Sequence, residues 1–243
     1  MTNQINTLVA DLVAANHILA DQGVVDGFGH ASVRIEPGGG RFLLSRSMAP
    51  ALVEPDDIVT YDLDGNGLNA EGRPGYLERF IHSEIYRSRP DVIAIVHSHS
   101  PSVLPFGVAR TRLRPVYHMA GFLSHISVFE IRDDFGPSTD MLVSNGRMGA
   151  SLAKALGCNC VTLMRGHGSV VVGRSLREAV YRAVYTEINA RVQTQAQALE
   201  GPIEFLTDEE AAAATQTNSA QLGRCWTLWA DQAAARRPVR PRA

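Results

Sequence analysis

The 243-residue chain predicts a single soluble domain of the α/β class. Three observations carry that expectation. Apolar residues recur at three- and four-residue steps in several segments, short β-branched runs lie between those segments, and a composition of 45% hydrophobic and 20% charged residues supplies a full core without disulfide staples.

The elements follow in order along the chain. Ile5, Leu8, Leu12, Ala15 and Leu19 describe an amphipathic helix closing at Gly23. Residues 33–35 and 41–44 are apolar runs on either side of Glu36-Pro37-Gly38-Gly39-Gly40, the composition of a hairpin loop. Residues 58–63, followed by Asp64-Gly65-Asn66-Gly67, read as a further strand and turn. Leu77, Phe80, Ile81, Ile85 and Tyr86 then fall at helical spacing until Arg89-Pro90, because the residue before a proline is pushed out of the α region. Residues 92–96 are an unbroken β-branched run, typical of a strand covered on both faces. A helix over 148–156 ended by Gly157, a second buried strand over 161–164 and a long helix over 176–199 complete the pattern. Residues 1–230 form the domain; 231–243, with Ala233-Ala234-Ala235, Arg236-Arg237-Pro238 and Arg240-Pro241-Arg242, are too poor in large apolar side chains to dock and predict a flexible tail.

Charge and cysteine usage narrow the function classes. With 23 Lys+Arg against 25 Asp+Glu the net charge is −2, which lacks the basic footprint of a nucleic-acid binder. No stretch approaches the ~18 apolar residues of a membrane span. The opening residues have no cationic head or apolar run of a signal peptide, Cys158 and Cys160 are too close for an easy bridge, and Cys225 is remote, so the expectation is a cytoplasmic protein with free thiols.

Histidines mark the candidate chemistry. In His97-Ser98-His99, strand alternation points both rings the same way with Cα atoms ~6.5 Å apart, close enough to share one metal ion. Hydrogen-bonded histidines at a strand end are the other reading of that triplet alone. His167, in Arg165-Gly166-His167-Gly168, follows the second buried strand, and three imidazoles suit an open catalytic site for a divalent ion. Glu78 begins the helix leading into the histidine strand, where it could equally be a solvated residue favoured by the helix dipole. His82, one turn later, is expected to be a packed structural histidine, and Cys158-Asn159-Cys160 two small core residues.

Gly29-His30-Ala31-Ser32-Val33-Arg34, the Glu78 to His82 helix start, Pro90-Asp91-Val92 before His97-Ser98-His99, and Gly166-His167-Gly168 before Gly173 and a long helix together resemble the class II aldolase/adducin family over most of the chain. The resemblance implies a three-layer α/β/α fold with a central, mostly antiparallel sheet, assembled as a homotetramer or larger with interface active sites. It also implies Glu78 as acid/base and one divalent ion per subunit, Mn2+ or Zn2+, on His97, His99 and His167.

Departures from the sugar-phosphate members redirect the substrate. Their phosphate cradle uses a Gly-Asn pair, a Thr/Ser-Gly pair and a Ser-Ser pair; here those places hold His30, Ser45-Arg46-Ser47 and Tyr76-Leu77. Tyr76 and Leu77 cannot supply two hydroxyl donors to a phosphate dianion. By ungapped counting from His97, the tyrosine that aldolases take from a neighbouring subunit becomes His118, beside Tyr117. Arg46 suits a carboxylate, and His30 and His118 suit a phenolate or ring carbon. These changes resemble the family's decarboxylase branch, as do the segment from Arg46 to Leu52 and the Trp226/Trp229 ending. The expected substrate is a small hydroxylated aromatic or pyridine (di)carboxylic acid, with Glu78 and His118 catalytic and His30, Ser45 and Arg46 binding. An aldolase or epimerase acting on a hydroxy-carbonyl compound, and a metal-free module like an adducin head, are the rival readings.

Overall fold

The structure is a computed structural model and describes residues 2–237. Helix α1 (Thr2–Asp21) is followed by strands β1 (His30–Arg34), β2 (Arg41–Ser45) and β3 (Ile58–Asp62), helix α2 (Arg79–Ser88), strand β4 (Ala94–Ser98) and short helix α3 (Leu104–Val108). A 3-10 segment (His118–Leu123) leads to β5 (Ser127–Phe129), α4 (Ile131–Phe135), α5 (Gly146–Leu156), β6 (Val161–Met164), β7 (Gly168–Gly173), α6 (Leu176–Gln197), α7 (Asp208–Ser219) and α8 (Leu222–Arg236).

The seven strands form one sheet in the order β3-β2-β1-β4-β7-β6-β5, antiparallel at every pair except β5 with β6. Side-chain alternation divides the core into two layers. Ala31, Val33, Ala94, Val96 and Val171 face one way and pack with residues of α1, α6 and α8. Phe42, Leu44, Ile95, Val170 and Val172 face the other way, against Ile81, Ile85 and Tyr86 of α2 and Leu152 and Leu156 of α5. The expected three-layer architecture is present, and parity assigns the site to a layer. His97, two residues beyond Ile95, lies on the α2/α5 side, and His30 pairs with it across β1 and β4.

Three sequence expectations need correction. Cys158 is exposed and Cys160 half-buried, not core residues, because both precede β6 and do not lie within it. The histidine strand runs from 94 to 98 rather than 92 to 96, so His97 lies inside the ladder, opposite Val170 of β7. The expected tail begins too early, because residues 231–236 continue α8. Trp226, Trp229 and Ala233 are buried at three- and four-residue spacing on one face of that helix, which packs on α1 and α6. The ring of Trp229 lies 5.9 Å from that of Tyr185, and Arg236 reaches Asp21 at 3.0 Å. Alanine is a strong helix former, so its poverty in apolar volume costs little once two tryptophans anchor the helix. Residues 238–243 of the expected tail lie outside the described residues.

Candidate metal centre and active site

Three chain segments deliver one cluster of four side chains. Strand β4 carries His97, the residue just past its end is His99, the turn between β6 and β7 presents His167, and Glu78 sits at the N-cap position of α2. The Nε2 atoms of His97 and His99 are 3.1 Å apart, as are those of His167 and His99. Glu78 Oε2 lies 3.5 Å from His97 Nε2 and 3.4 Å from His167 Nε2, and all four ligand atoms fall within 4.8 Å of one another.

The backbone sets the tautomers. His97 Nδ1 is 3.1 Å from the Ser169 carbonyl and His167 Nδ1 is 2.8 Å from the Met141 carbonyl. A carbonyl only accepts, so each Nδ1 carries the proton and each Nε2 aims a lone pair at the same point. Two such lone pairs beside a carboxylate need a positive charge between them. Imidazole nitrogens about 2.0–2.1 Å from a shared ion would stand about 3.0–3.4 Å apart, which matches the observed spacing. The donor set therefore fits a divalent metal ion.

Electrostatics agree with that deficit of positive charge. Burial alone would raise the Glu78 carboxyl, but its bonds to His167 and His97 outweigh burial and hold it well below the usual carboxylate range. Burial lowers His167, yet the same Glu78 outweighs it and raises that ring. His99 is pushed down to about 4 by burial and then by His97 and His167. Glu78 is anchored through Oε1, which accepts from the Val143 N–H at 3.0 Å.

Beside the cluster opens a cavity of about 290 Å³, lined chiefly by Phe28, His30, Met48, Tyr76, Glu78 and Leu142. That is the lower end of the ~300–1,000 Å³ range of small-molecule sites. His30 is buried at its inner wall, with its ring 5.0 Å from His97 and 4.5 Å from Tyr76. Gly29 precedes it with φ of +90°, and a Cβ there would meet the His97 carbonyl oxygen at 2.9 Å, so glycine is what lets the start of β1 approach β4.

Not every expected residue reaches this cavity. Ser45 is buried behind Tyr76, 3.1 Å from its hydroxyl, which donates to the Met48 carbonyl at 2.6 Å. Ser45 thus holds Tyr76 rather than lining the cavity. Arg46 is drawn off by Asp57 at 2.7 Å and does not line the cavity either. His118 is exposed on the 3-10 segment, where its carbonyl accepts from Asn218, and it touches none of the four cluster residues. His82 stands behind His30, at 2.6 Å from its Nδ1, outside the cluster. Sequence reasoning missed the carbonyls of Met141 and Ser169 and the amide of Val143, which are backbone groups and carry no side-chain signal.

Residues 10–194 match the family described as the class II aldolase and adducin N-terminal domain. The chain is 37% identical over 247 residues to a protein named decarboxylase tropJ from Talaromyces stipitatus, covering 91% of this chain and 92% of that one. It is 31% identical over 223 residues to a 3,4-dihydroxyphthalate decarboxylase from Arthrobacter keyseri, covering 83% of each. Among solved structures, an L-fuculose 1-phosphate aldolase from Glaciozyma antarctica superposes with a TM-score of 0.77 at 22% identity, over 96% of this chain and 92% of that one, a likeness of fold. The chain belongs to the class II aldolase and adducin family. Within it, this protein is a carbon–carbon lyase.

Proposed function

We propose that the protein is a metal-dependent decarboxylase of a small hydroxylated aromatic or pyridine (di)carboxylic acid. The observation that carries this reading is the wall of the cavity. Phe28, Met48, Tyr76 and Leu142 bound a slot for a planar ring next to the Glu78/histidine cluster, with tyrosine and leucine where a phosphate would require hydroxyl donors. The decarboxylase relatives support the same class of reaction.

His97, His99 and His167 would hold one divalent ion, zinc or manganese, and that ion supplies Lewis-acid stabilisation of the charge left when the carbon–carbon bond breaks. The chain's own groups manage the proton and the ring. Phe28, Met48 and Leu142 exclude water from the ring faces. As carbon dioxide leaves, its bonding pair stays on the ring carbon, and a C–H bond forms there with a proton delivered from Glu78 Oε2. Because Glu78 rests ionised, a solvent proton must load it in each turnover, and the Val143 amide keeps the carboxylate aimed while it does so.

Assembly as a homotetramer or larger belongs to the same proposal. Phe28 and Leu77 at the cavity rim are 70% and 63% exposed, large apolar groups suited to cover by a second copy, and His118 is free of its own cluster to serve a neighbour's. A cytoplasmic location suits the free cysteines. The test is carbon dioxide release from a panel of ortho-hydroxy aromatic and pyridine dicarboxylates, using protein loaded with manganese or zinc beside a chelated control. Release abolished by chelation is expected. Aldehyde release from hydroxy-ketone acids by metal-loaded protein that liberates no carbon dioxide would replace this reading with aldol chemistry.

A further inference from the structure

Behind the cavity wall runs a closed chain of hydrogen bonds that the lyase chemistry above does not use. His30 Nδ1 is 2.6 Å from His82 Nε2, His82 Nδ1 is 2.6 Å from Ser32 Oγ, and Ser32 Oγ is 2.8 Å from the Tyr86 hydroxyl. Tyr86 ends the chain by donating to the Ile93 carbonyl at 3.3 Å. Ser32, His82 and Tyr86 are all at most 1% exposed, so no water intervenes.

The direction of the chain follows from its last member. A backbone carbonyl only accepts, so with the Tyr86 proton on Ile93 the Tyr86 oxygen accepts from Ser32, and every contact in the chain is made. Ser32 has then spent its single proton and accepts from His82 Nδ1–H. A neutral His82 ring has one N–H, leaving Nε2 to accept from His30 Nδ1–H. His30, also neutral, is left with a bare Nε2 lone pair on the cavity side, the ring atom with no hydrogen-bond partner among the described residues. The opposite direction would make one bond fewer: the Ile93 carbonyl would keep the Arg34 N–H at 2.7 Å, but Tyr86 would no longer donate to it.

We infer that His30 Nε2 accepts a hydrogen bond from a hydroxyl group on the substrate ring, and that His82, Ser32 and Tyr86 are positioning residues that fix the tautomer able to do so. This rests on the aromatic-acid reading and sharpens it. A lone pair repels a carboxylate, so His30 selects for the hydroxyl of a hydroxy acid rather than holding its second carboxylate. It also gives His82, expected from sequence to be structural only, a role two bonds from the substrate.

Two measurements on zinc-loaded protein test the inference. NMR of isotope-labelled histidine ring nitrogens, with the His30 signal identified by its loss in His30→Gln, should find the wild-type proton on Nδ1. In Tyr86→Phe, and independently in Ser32→Ala should the first variant fold poorly, the chain loses its direction and the proton should shift toward Nε2. Finding it on Nε2 in the wild type would overturn the inference. Calorimetric titration with salicylate and with benzoate should give the wild type a preference for salicylate of about tenfold, the worth of one buried hydrogen bond, that shrinks to about twofold or less in both variants with zinc content unchanged. If the wild type binds both probes and the variants keep the wild-type ratio, the hydroxyl assignment fails while the aromatic-acid reading stands. If the wild type binds neither, the aromatic-acid reading fails and takes the hydroxyl assignment with it.

Discussion

Gly168→Ala probes the close approach that assembles the histidine cluster. Gly168 opens β7 immediately after His167, and a Cβ on it would lie 2.2 Å from the Ser98 carbonyl oxygen of β4 and 3.0 Å from His99 Cδ2. Real Cβ atoms essentially never approach closer than 3.0 Å, so the two strands must separate locally by about 0.8 Å, the difference between 3.0 and 2.2 Å. Strain of this kind in a packed core costs about 1–3 kcal/mol. The same displacement acts on the 3.1 Å spacing between His99 and His167 Nε2, because the turn bearing His167 moves with Gly168. Spacing widened toward ~4 Å exceeds what two ligands of one ion tolerate, so zinc affinity should fall about 10- to 100-fold. Competition against a chromophoric chelator measures the affinity, and urea unfolding of the metal-free protein measures the strain. An alanine variant within about twofold of wild type in zinc affinity and about 0.5 kcal/mol in stability would refute the strand contact from which the argument starts.

The other expectations concern single groups. Glu78→Gln should lower turnover by about 10²- to 10⁴-fold while metal content, read by elemental analysis, stays at the wild-type level; unchanged turnover would remove Glu78 from proton transfer. Arg46→Ala should leave KM within about twofold and cost about 0.5–1 kcal/mol in urea unfolding, since its partner is Asp57 at a part-exposed site; a large rise in KM would return Arg46 to the substrate. Burial pushes His82 down to about 3 from the 6.5 of a free imidazole, so as pH falls the unfolded chain takes its proton first. Stability is therefore fully present above 6.5 and drains away between 6.5 and about 3. Removing that group in His82→Gln should flatten the dependence of urea midpoint on pH by up to about 1.4 kcal/mol per pH unit, and parallel slopes in the two proteins would contradict the buried neutral ring.

Local pattern and global assembly divide this protein between them. By itself the sequence determined the elements whose signal is short-range: the period of α1 and α6, the Glu36 to Gly40 hairpin, the turn after β3, and the β-branched runs of β4 and β6. It also marked Glu78, His97, His99 and His167, because imidazoles at strand ends and a carboxyl at a helix start can be read from spacing and from a family pattern. The short β5, the docking of α8 and the two-residue shift of β4 escaped it, since those depend on what each segment packs against.

Convergence of the site was decided only in three dimensions. Glu78 and His167 are 89 residues apart in sequence, yet their ligand atoms stand 3.4 Å apart because β4 pairs with β7 in one particular register and α2 packs beneath the sheet. The tautomers of His97 and His167 come from backbone carbonyls, which look alike in every sequence until the fold aims them. Arg46 shows the same limit from the other side: its charge suited a carboxylate substrate, but Asp57, eleven residues on, stands 2.7 Å from its guanidinium and pairs with it. A side chain's chemistry is written in the sequence, whereas the partner that spends it is chosen by distance, and distance between remote residues is a property of the packed sheet and helices alone.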